Sequence, residues 1–259
     1  MELNTVLYDK YNNTGIITLN RPAFMNALNA EMLRELFLVV DKISGDREVK
    51  AIIITGSGKM FAAGWDMEYL ADADPVKAEK FIESARILLD KIDQLDRPVI
   101  AALNGPSLCW GTELALACDV RIASEGIYIA EPEINLGIIP GAGGTQRLTR
   151  IIGLGWAKYL VMTGAPIDAL TALRIGLLTS VVPDDQLMEE AKKIAKAITL
   201  RSTVAMKAAK KSLNYGMNAN LPAGLIYEYN TWASLFSTED QKEGMKAFLE
   251  RRKPVFKDR

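Results

Sequence analysis

The 259-residue sequence contains no histidine at all. Histidine is the side chain whose ordinary pKa lies nearest neutral pH, so its absence excludes the commonest general acid or base and a frequent metal ligand. Acid–base chemistry near neutral pH must therefore use carboxylates, lysines, tyrosines or cysteines. A carboxyl group serves in this range when burial raises its pKa, so the candidates are carboxyl side chains in apolar surroundings.

Cysteine is almost as scarce. The two cysteines, Cys109 and Cys118, lie in one short segment and match no metal-ligand spacing. We expect both to be buried thiols of a protein in a reducing compartment. Residues 1–4 form no apolar signal segment, and no apolar run is long enough to span a bilayer. These features predict a mature cytoplasmic protein that does not associate with a membrane.

Positive and negative charges nearly cancel. The sequence has 31 lysines and arginines against 32 aspartates and glutamates, a formal net charge of −1. Such a balance gives no overall attraction to nucleic acids or anionic membranes, so we expect neither as a partner. The composition is 49% hydrophobic and 24% charged, which is typical of a globular chain with a substantial apolar core.

Short apolar runs alternate with amphipathic segments in the first half of the chain. Short runs of β-branched and apolar residues predict strands, and apolar residues at helical spacing predict helices. The predicted strands are 6–8, 15–19, 51–55, 98–103 and 119–123, and the predicted helices are 31–43, 76–96 and 112–117. From about residue 143 the pattern changes to helices, including 189–198, 204–213 and 239–251. This order predicts an α/β fold with a helical C-terminal region.

Two glycine-containing loops follow neighbouring predicted strands. Residues 61–66 (Phe-Ala-Ala-Gly-Trp-Asp) follow the strand at 51–55, and residues 109–113 (Cys-Trp-Gly-Thr-Glu) follow the strand at 98–103. A strand, a tight loop and a helix start expose backbone N–H groups, and two such loops side by side would form an oxyanion hole. Ordinary connecting loops, in which glycine supplies positive φ, explain the same pattern, and spacing alone favours them.

Two glutamates occur in the apolar surroundings that acid–base chemistry requires. Glu113 precedes the run Leu-Ala-Leu-Ala-Cys, so its helix must be largely buried, and Glu133 lies between a proline and an isoleucine. A carboxyl group in such a place is costly unless it is paired or functional. Glu131 and Asp66 are competing candidates, but their sequence context does not distinguish them from exposed or capping residues.

Several long motifs are shared with one protein family. They are Leu-Asn-Arg-Pro at 19–22, Met-Asn-Ala-Leu-Asn at 25–29, Phe-Ala-Ala-Gly at 61–64, Ala-Ala-Leu-Asn-Gly at 101–105, Glu-Leu-Ala at 113–115, Cys-Asp at 118–119, Pro-Glu at 132–133, Leu-Gly-Ile-Ile-Pro-Gly-Ala-Gly-Gly-Thr-Gln-Arg-Leu at 136–148, and Phe-Leu-Glu-Arg-Arg-Lys at 248–253. Through them the sequence resembles the enoyl-CoA hydratase/isomerase (crotonase) family nearly from end to end.

The resemblance implies a crotonase-like spiral of ββα turns that holds the active site in residues 1–195. It also implies a C-terminal helical trimerisation region in residues 196–259, with a homotrimer or a hexamer made of two trimers as the assembly. The implied substrate is an acyl-CoA thioester, with coenzyme A as part of the substrate and neither a metal nor a redox cofactor.

The resemblance also assigns roles to individual residues. The family's two oxyanion donors are backbone N–H groups at the positions of Trp65 and Trp110, and its two catalytic glutamates fall on Glu113 and Glu133. The positions that contact the substrate or its CoA portion fall on Ala27, Ala63, Asp66, Met67, Glu68 and Gly141.

Retention of both glutamates favours hydration, the addition of water across the C2–C3 double bond of a 2-enoyl-CoA. Family members that isomerise, decarboxylate or hydrolyse commonly keep one glutamate or neither, so these reactions are the alternatives. RNA-binding homologues are a third class, which the near-neutral charge disfavours. Trp65 and Trp110 replace small residues of the family, Glu68 replaces a common lysine, and Phe24 replaces a frequent polar or basic residue. These departures predict a reshaped acyl pocket for cyclic or dienoyl groups.

Overall fold

The computed structural model describes residues 3–259, except for the side chain of Tyr69. These residues form nine strands: β1 (Val6–Tyr11), β2 (Thr14–Leu19), β3 (Ala51–Gly56), β4 (Val99–Leu103), β5 (Ser107–Leu108), β6 (Val120–Ser124), β7 (Tyr128–Ala130), β8 (Ile167–Asp168) and β9 (Ser180–Val182). They also form ten α-helices: α1 (Ala30–Gly45), α2 (Met67–Leu70), α3 (Pro75–Asp93), α4 (Trp110–Leu116), α5 (Gly144–Thr163), α6 (Ala169–Arg174), α7 (Leu187–Thr199), α8 (Thr203–Asn218), α9 (Leu221–Leu235) and α10 (Glu239–Leu249).

Six of the strands make one mixed sheet in the order β1-β2-β3-β4-β6-β9. β1 and β2 form an antiparallel hairpin that pairs Tyr11 with Thr14, and Asn12 takes the positive φ (53°) that the tight turn requires. Every later pairing in this sheet is parallel, so the chain must return across the sheet between successive strands. Helices make these crossings and cover the sheet.

The central strands β3 and β4 are apolar because both faces of the sheet are covered. Side chains alternate along β3: Ile52 and Ile54 pack in the layer that contains α1 and α3, whereas Ile53 packs toward α7. Every residue from 51 to 55 and from 99 to 103 is buried. The strands therefore form a rigid base from which their following loops extend.

The loops after β3 and β4 leave the same edge of the sheet, since the two strands are parallel. Ala62 pairs with Ser107 in a single parallel bridge, and the Leu108 N–H donates to the Ala62 carbonyl at 3.0 Å. A second, three-stranded sheet in the order β5-β7-β8 adjoins these loops. It leads directly into a 3-10 turn at Pro132–Leu136. All segments that carry the predicted site residues therefore meet at this edge.

The C-terminal helices α8 to α10 pack beside the sheet and leave much apolar surface exposed. Lys210 of α8, itself buried, donates to Asp119 Oδ2 at 2.7 Å, and the same oxygen accepts the Val99 N–H at 2.7 Å. α9 buries none of its residues. Large exposed side chains of this region include Leu213, Met217, Leu221, Leu225, Ile226, Tyr229 and Trp232. Within residues 3–259, no helix has the length and apolar character needed to cross a lipid bilayer.

The strands and helices predicted for the first half of the chain are all present, with bounds shifted by up to three residues, but α2, β5 and β7 were not predicted. The predictions for the second half are also incomplete. Asn29 caps α1 by accepting the Met32 N–H at 2.9 Å, and both cysteines are buried and free. α4 begins at Trp110 rather than at residue 112. The region after residue 143 also contains β8 and β9, which are too short to show alternation. α9 was missed because its apolar residues are not confined to one face.

Candidate active site

The backbone N–H groups of Trp65 and Trp110 are free to bind a ligand. Leu28 pairs with Trp65 in a parallel bridge. In this bridge the Leu28 N–H donates to the Gly64 carbonyl (2.8 Å), and the Leu28 carbonyl accepts the Asp66 N–H (2.9 Å). The N–H of Trp65, between these two residues, therefore points away from Leu28. Trp110 is the first residue of α4, where an N–H has no acceptor within the helix. Within residues 3–259, no backbone carbonyl accepts either of these N–H groups.

The two loops that present these N–H groups touch each other. Gly64, which precedes Trp65, has φ +109°, and a Cβ at this position would overlap the Cβ of Cys109, which precedes Trp110. Cys109 itself has φ +50°, a backbone conformation that is unusual for residues other than glycine, asparagine or aspartate. A glycine at 64 is therefore required both by its conformation and by the close approach. The two N–H groups belong to one site, which favours the oxyanion-hole interpretation over that of separate connecting loops.

Glu113 lies in the first turn of α4 with its side chain fully enclosed. Its Oε1 accepts the backbone N–H groups of Ala142 (2.7 Å) and Gly144 (2.8 Å), and Gly144 begins α5, whose N-terminus favours negative charge. Burial and the nearby Glu133 carboxyl raise the pKa of Glu113, the two N–H donors partly oppose the rise, and the resulting pKa is about 7. Glu113 is thus a carboxyl that changes protonation near neutral pH.

Glu133 lies in the 3-10 turn, and its carboxyl group is enclosed by different neighbours. The side chains of Glu131, Cys109 and Trp65 lie beside it and lower its pKa, but the larger effect of burial raises that pKa above the ordinary value. Neither carboxyl oxygen of Glu133 has a hydrogen-bond partner in the structure. The buried Oε2 of Glu113 also lacks one. The two carboxyl groups act on each other electrostatically and leave polar atoms available within one enclosed site.

Glu131 is a site residue that its sequence context did not distinguish from exposed or capping positions. Its side chain is fully buried, and neither carboxyl oxygen has a hydrogen-bond partner among the described residues. Asp66, the other competitor, is only half-buried and forms an ion pair with Arg21 at 3.0 Å. A clue to the burial of Glu131 was its position between the end of an apolar strand and a proline, but nothing local revealed the partners around it.

Aromatic rings pack together at Trp65 and Trp110, the two residues whose backbone N–H groups are free. The rings of Trp65 and Trp110 are 6.5 Å apart between centroids, and Phe81 of α3 packs edge-on against Trp65 at 5.8 Å. Both indoles are buried, and Trp110 Nε1 has no hydrogen-bond partner. Both indoles therefore belong to the apolar core, and that of Trp65 also lies beside Glu133.

Arg21, which the sequence shows only as part of a shared motif, organises one side of the site. Its guanidinium donates to the Ala27 carbonyl at 2.6 Å and pairs with Asp66 at 3.0 Å. The Ala63 N–H donates to the Met25 carbonyl at 2.9 Å. The predicted substrate-contacting residues Ala27, Ala63 and Asp66 are thereby held next to the Trp65 loop.

The remaining predicted contact residues lie at the rim. Met67 and Glu68, at the start of α2, are exposed. Gly141 is also exposed and lies against α3, because a Cβ there would come within 2.6 Å of Ile82 Cγ1. The structure thus brings the predicted residues to one region of the molecule, with the three glutamates inside and the residues of α2 outside.

Comparison with known proteins identifies the family. The family model described as enoyl-CoA hydratase/isomerase matches residues 9–259. A short-chain-enoyl-CoA hydratase of Clostridium acetobutylicum is 43% identical over 254 residues, which cover 98% of this chain and 97% of the relative. A crotonyl-CoA hydratase of Syntrophomonas wolfei is 40% identical and covers 99% of both chains. The crystal structure of an enoyl-CoA hydratase from Bacillus anthracis superposes with a TM-score of 0.95 at 38% identity, covering 98% of this chain and 100% of the other. This chain belongs to the enoyl-CoA hydratase/isomerase family.

Proposed function

We propose that this protein is an enoyl-CoA hydratase, which adds water across the C2–C3 double bond of a 2-enoyl-CoA thioester. One observation carries the proposal: Glu113 and Glu133 are buried together beside two free backbone N–H donors. The relatives named short-chain-enoyl-CoA hydratase and crotonyl-CoA hydratase support it. In this proposal the acyl-CoA is the substrate, and no metal or redox cofactor takes part.

The N–H groups of Trp65 and Trp110 would bind the thioester oxygen. As water adds at C3, negative charge builds on this oxygen, and two fixed donors in an enclosed site stabilise it without having to reorient. Loss of one such donor typically costs on the order of 10² to 10³ in rate. This role uses the backbone alone, so it is compatible with tryptophan side chains at both positions.

The two glutamates would divide the proton transfers. Ionised Glu113, held by the Ala142 and Gly144 N–H groups, takes a proton from a water molecule whose oxygen then bonds to C3. Protonated Glu133 gives its proton to C2 as the enolate collapses to the thioester. Proton transfer from Glu113 back to Glu133 restores the starting state, so the net change is the addition of one water.

The tryptophan pair would set the shape of the acyl group. Trp65, Trp110 and Phe81 present aromatic surfaces close to the N–H donors, and such surfaces favour flat conjugated groups over flexible ones. We propose that the enzyme takes short or flat unsaturated acyl groups, cyclic enoyl and dienoyl groups among them.

The C-terminal region 196–259 would form the subunit contacts of a homotrimer or of a pair of trimers, whereas residues 1–195 would form the catalytic region. The protein would act in the cytoplasm. The support is the apolar surface of α9, where Ile226 is 53% exposed and Trp232 is 63% exposed. The free, buried thiols of Cys109 and Cys118 suit a reducing compartment. Sedimentation analysis should give a trimer or hexamer for the wild type and smaller species for Trp232→Lys. A wild-type monomer would contradict this proposal.

Activity measurements on glutamate variants test the function. With enoyl-CoA substrates of linear, dienoyl and cyclic type, the wild type should form a product heavier by one water. Glu113→Gln and Glu133→Gln should each lose about 10² to 10⁴ in kcat while they still bind a saturated acyl-CoA. Glu125→Gln is the matched control, since Glu125 is exposed on the turn before β7 and should retain full activity.

The same assay separates the alternatives. A double-bond isomer has an unchanged mass, hydrolysis releases free CoA thiol, and decarboxylation releases carbon dioxide. The double variant should be little worse than either single variant, because both groups serve one addition step. Near-wild-type hydration by Glu113→Gln or Glu133→Gln would refute the assigned roles.

A further inference from the structure

Glu131 differs from Glu35, another buried glutamate, in its hydrogen-bond partners. Glu35 is also buried, but its carboxylate accepts the N–H groups of Asn4, Thr5 and Val6 and the Thr5 hydroxyl, at 2.7 to 3.0 Å. Such a group stays ionised, and its pKa is lowered. Glu131 has none of these donors, since both of its oxygens are buried without a partner. A carboxylate without partners is very costly to bury, so Glu131 must be neutral.

Two carboxyl groups and a thiol lie close enough to Glu131 to interact with it electrostatically. Glu113 of α4 and Glu133 of the 3-10 turn act on it electrostatically, and it acts in turn on the thiol of Cys109. A Cβ on Gly144 would lie 2.9 Å from Glu131 Oε1 and 3.1 Å from Glu113 Oε1, so these oxygens are at most 6.0 Å apart. The cation Arg147 acts on Glu113. Within residues 3–259, no group of three or more His, Cys, Asp or Glu side chains is arranged to hold a metal ion.

A neutral carboxyl group offers one O–H donor. The side chain in contact with Glu131 that can accept it is Glu133, and this contact raises the pKa of Glu131 and lowers that of Glu133. Burial and the two neighbouring carboxyl groups keep the pKa of Glu131 well above its ordinary value. Two backbone N–H groups stabilise negative charge on Glu113, and Glu131 has no such donors.

We propose that Glu131 is a positioning residue of the active site, which stays protonated at neutral pH and donates a hydrogen bond to Glu133. This inference rests on the proposed hydratase function. When Glu133 gives its proton to C2, its O–H bond breaks and a carboxylate forms in a buried site. The Glu131 O–H stabilises this carboxylate and fixes its orientation toward C2, which makes Glu133 a stronger acid. Glu131 itself neither gains nor loses a proton.

Two variants of similar size separate this role from packing. Glu131→Gln keeps a donor that cannot ionise, so the pH profile of kcat should stay close to that of the wild type. Glu131→Leu removes the donor. Loss of a hydrogen bond to a charged group should raise the pKa of Glu133 by about one to two units. The alkaline limb of the pH profile should therefore move to higher pH by that amount, and kcat should fall about 10-fold. Glu125→Gln should leave the profile unchanged.

Infrared spectroscopy provides a readout that requires no substrate. At neutral pH the wild type should show one band of a protonated carboxyl group that the spectrum of Glu131→Gln lacks. This measurement keeps the proposal testable even if Glu131→Leu does not fold. Absence of that band, or equal profiles for Glu131→Gln and Glu131→Leu, would overturn the proposal. A wild type that hydrates no enoyl-CoA, with the band present, would instead overturn the proposed function alone.

Discussion

The burial of Glu113 should make the protein less stable as the pH rises through neutrality. Its pKa is about 7 in the folded protein against an ordinary value of 4.5 in an unfolded chain. The folded state therefore holds this proton more tightly, and the stabilising effect is fully present below about pH 4.5. It is lost as pH rises through about 7, where the folded protein must also give up the proton.

The size of the effect follows from the same two values. A shift of one pKa unit corresponds to about 1.4 kcal/mol, so the full change in the free energy of unfolding is about 3 kcal/mol. Glu113→Gln cannot ionise and lacks this pH dependence. The difference in free energy of unfolding, variant minus wild type, should rise by about 2 to 3 kcal/mol between about pH 5 and about pH 8.

Urea denaturation followed by tryptophan fluorescence measures this difference, because Trp65 and Trp110 are buried and close to the mutated residue. Protein concentration must be held constant, since dissociation of an oligomer would otherwise contribute. Glu125→Gln, an exposed replacement of the same kind, should give a difference that does not vary with pH. A flat difference for Glu113→Gln as well would show that Glu113 is not the titrating group and would refute the reasoning.

Two further predictions concern the loops and the rings. Gly64→Ala should lower both stability and kcat, because the added methyl group meets Cys109 and the backbone has φ +109°. Gly126→Ala is the control and should change neither, since the space around Gly126 is open. Equal behaviour of the two variants in denaturation and rate assays would contradict the close approach of the loops. Trp110→Gly should lose about 3 to 5 kcal/mol of stability yet keep measurable catalysis. The ratio of kcat/KM for a cyclic to that for a longer linear enoyl-CoA should fall. An unchanged ratio in a folded variant would show that the indole does not shape the acyl pocket.

The sequence predicted those parts of the site that depend on local pattern. The buried strands β3 and β4 were readable as apolar runs, and the loops after parallel strands had to leave one edge of the sheet. Trp65 and Trp110 could therefore be predicted to lie in neighbouring loops. The contact between these loops could not be predicted, because Gly64 and Cys109 are far apart in the chain.

Glu131 and Arg21 could not be predicted, for the same physical reason. The burial of Glu131 results from packing against the start of α5 and against α4, which local sequence does not reveal. The role of Arg21 depends on the distant Asp66 and on a carbonyl in a turn. α9 was missed for a different reason: its apolar residues are spread around the helix, so the sequence lacks the contrast between an apolar and a polar face.

The absence of histidine explains why burial is so important in this site. A chain without imidazole can work near neutral pH with a carboxyl only by raising its pKa, and burial alone raises it too far. Glu113 and Glu131 are equally enclosed, but Glu113 accepts two backbone N–H groups and has a pKa of about 7, whereas Glu131 accepts none and stays protonated well above its ordinary range. Two hydrogen bonds, from Gly144 at the start of α5 and from Ala142 just before it, thus distinguish a group that can act as a base from a group that can only donate. The fold assigns different roles to chemically identical side chains by the placement of backbone donors.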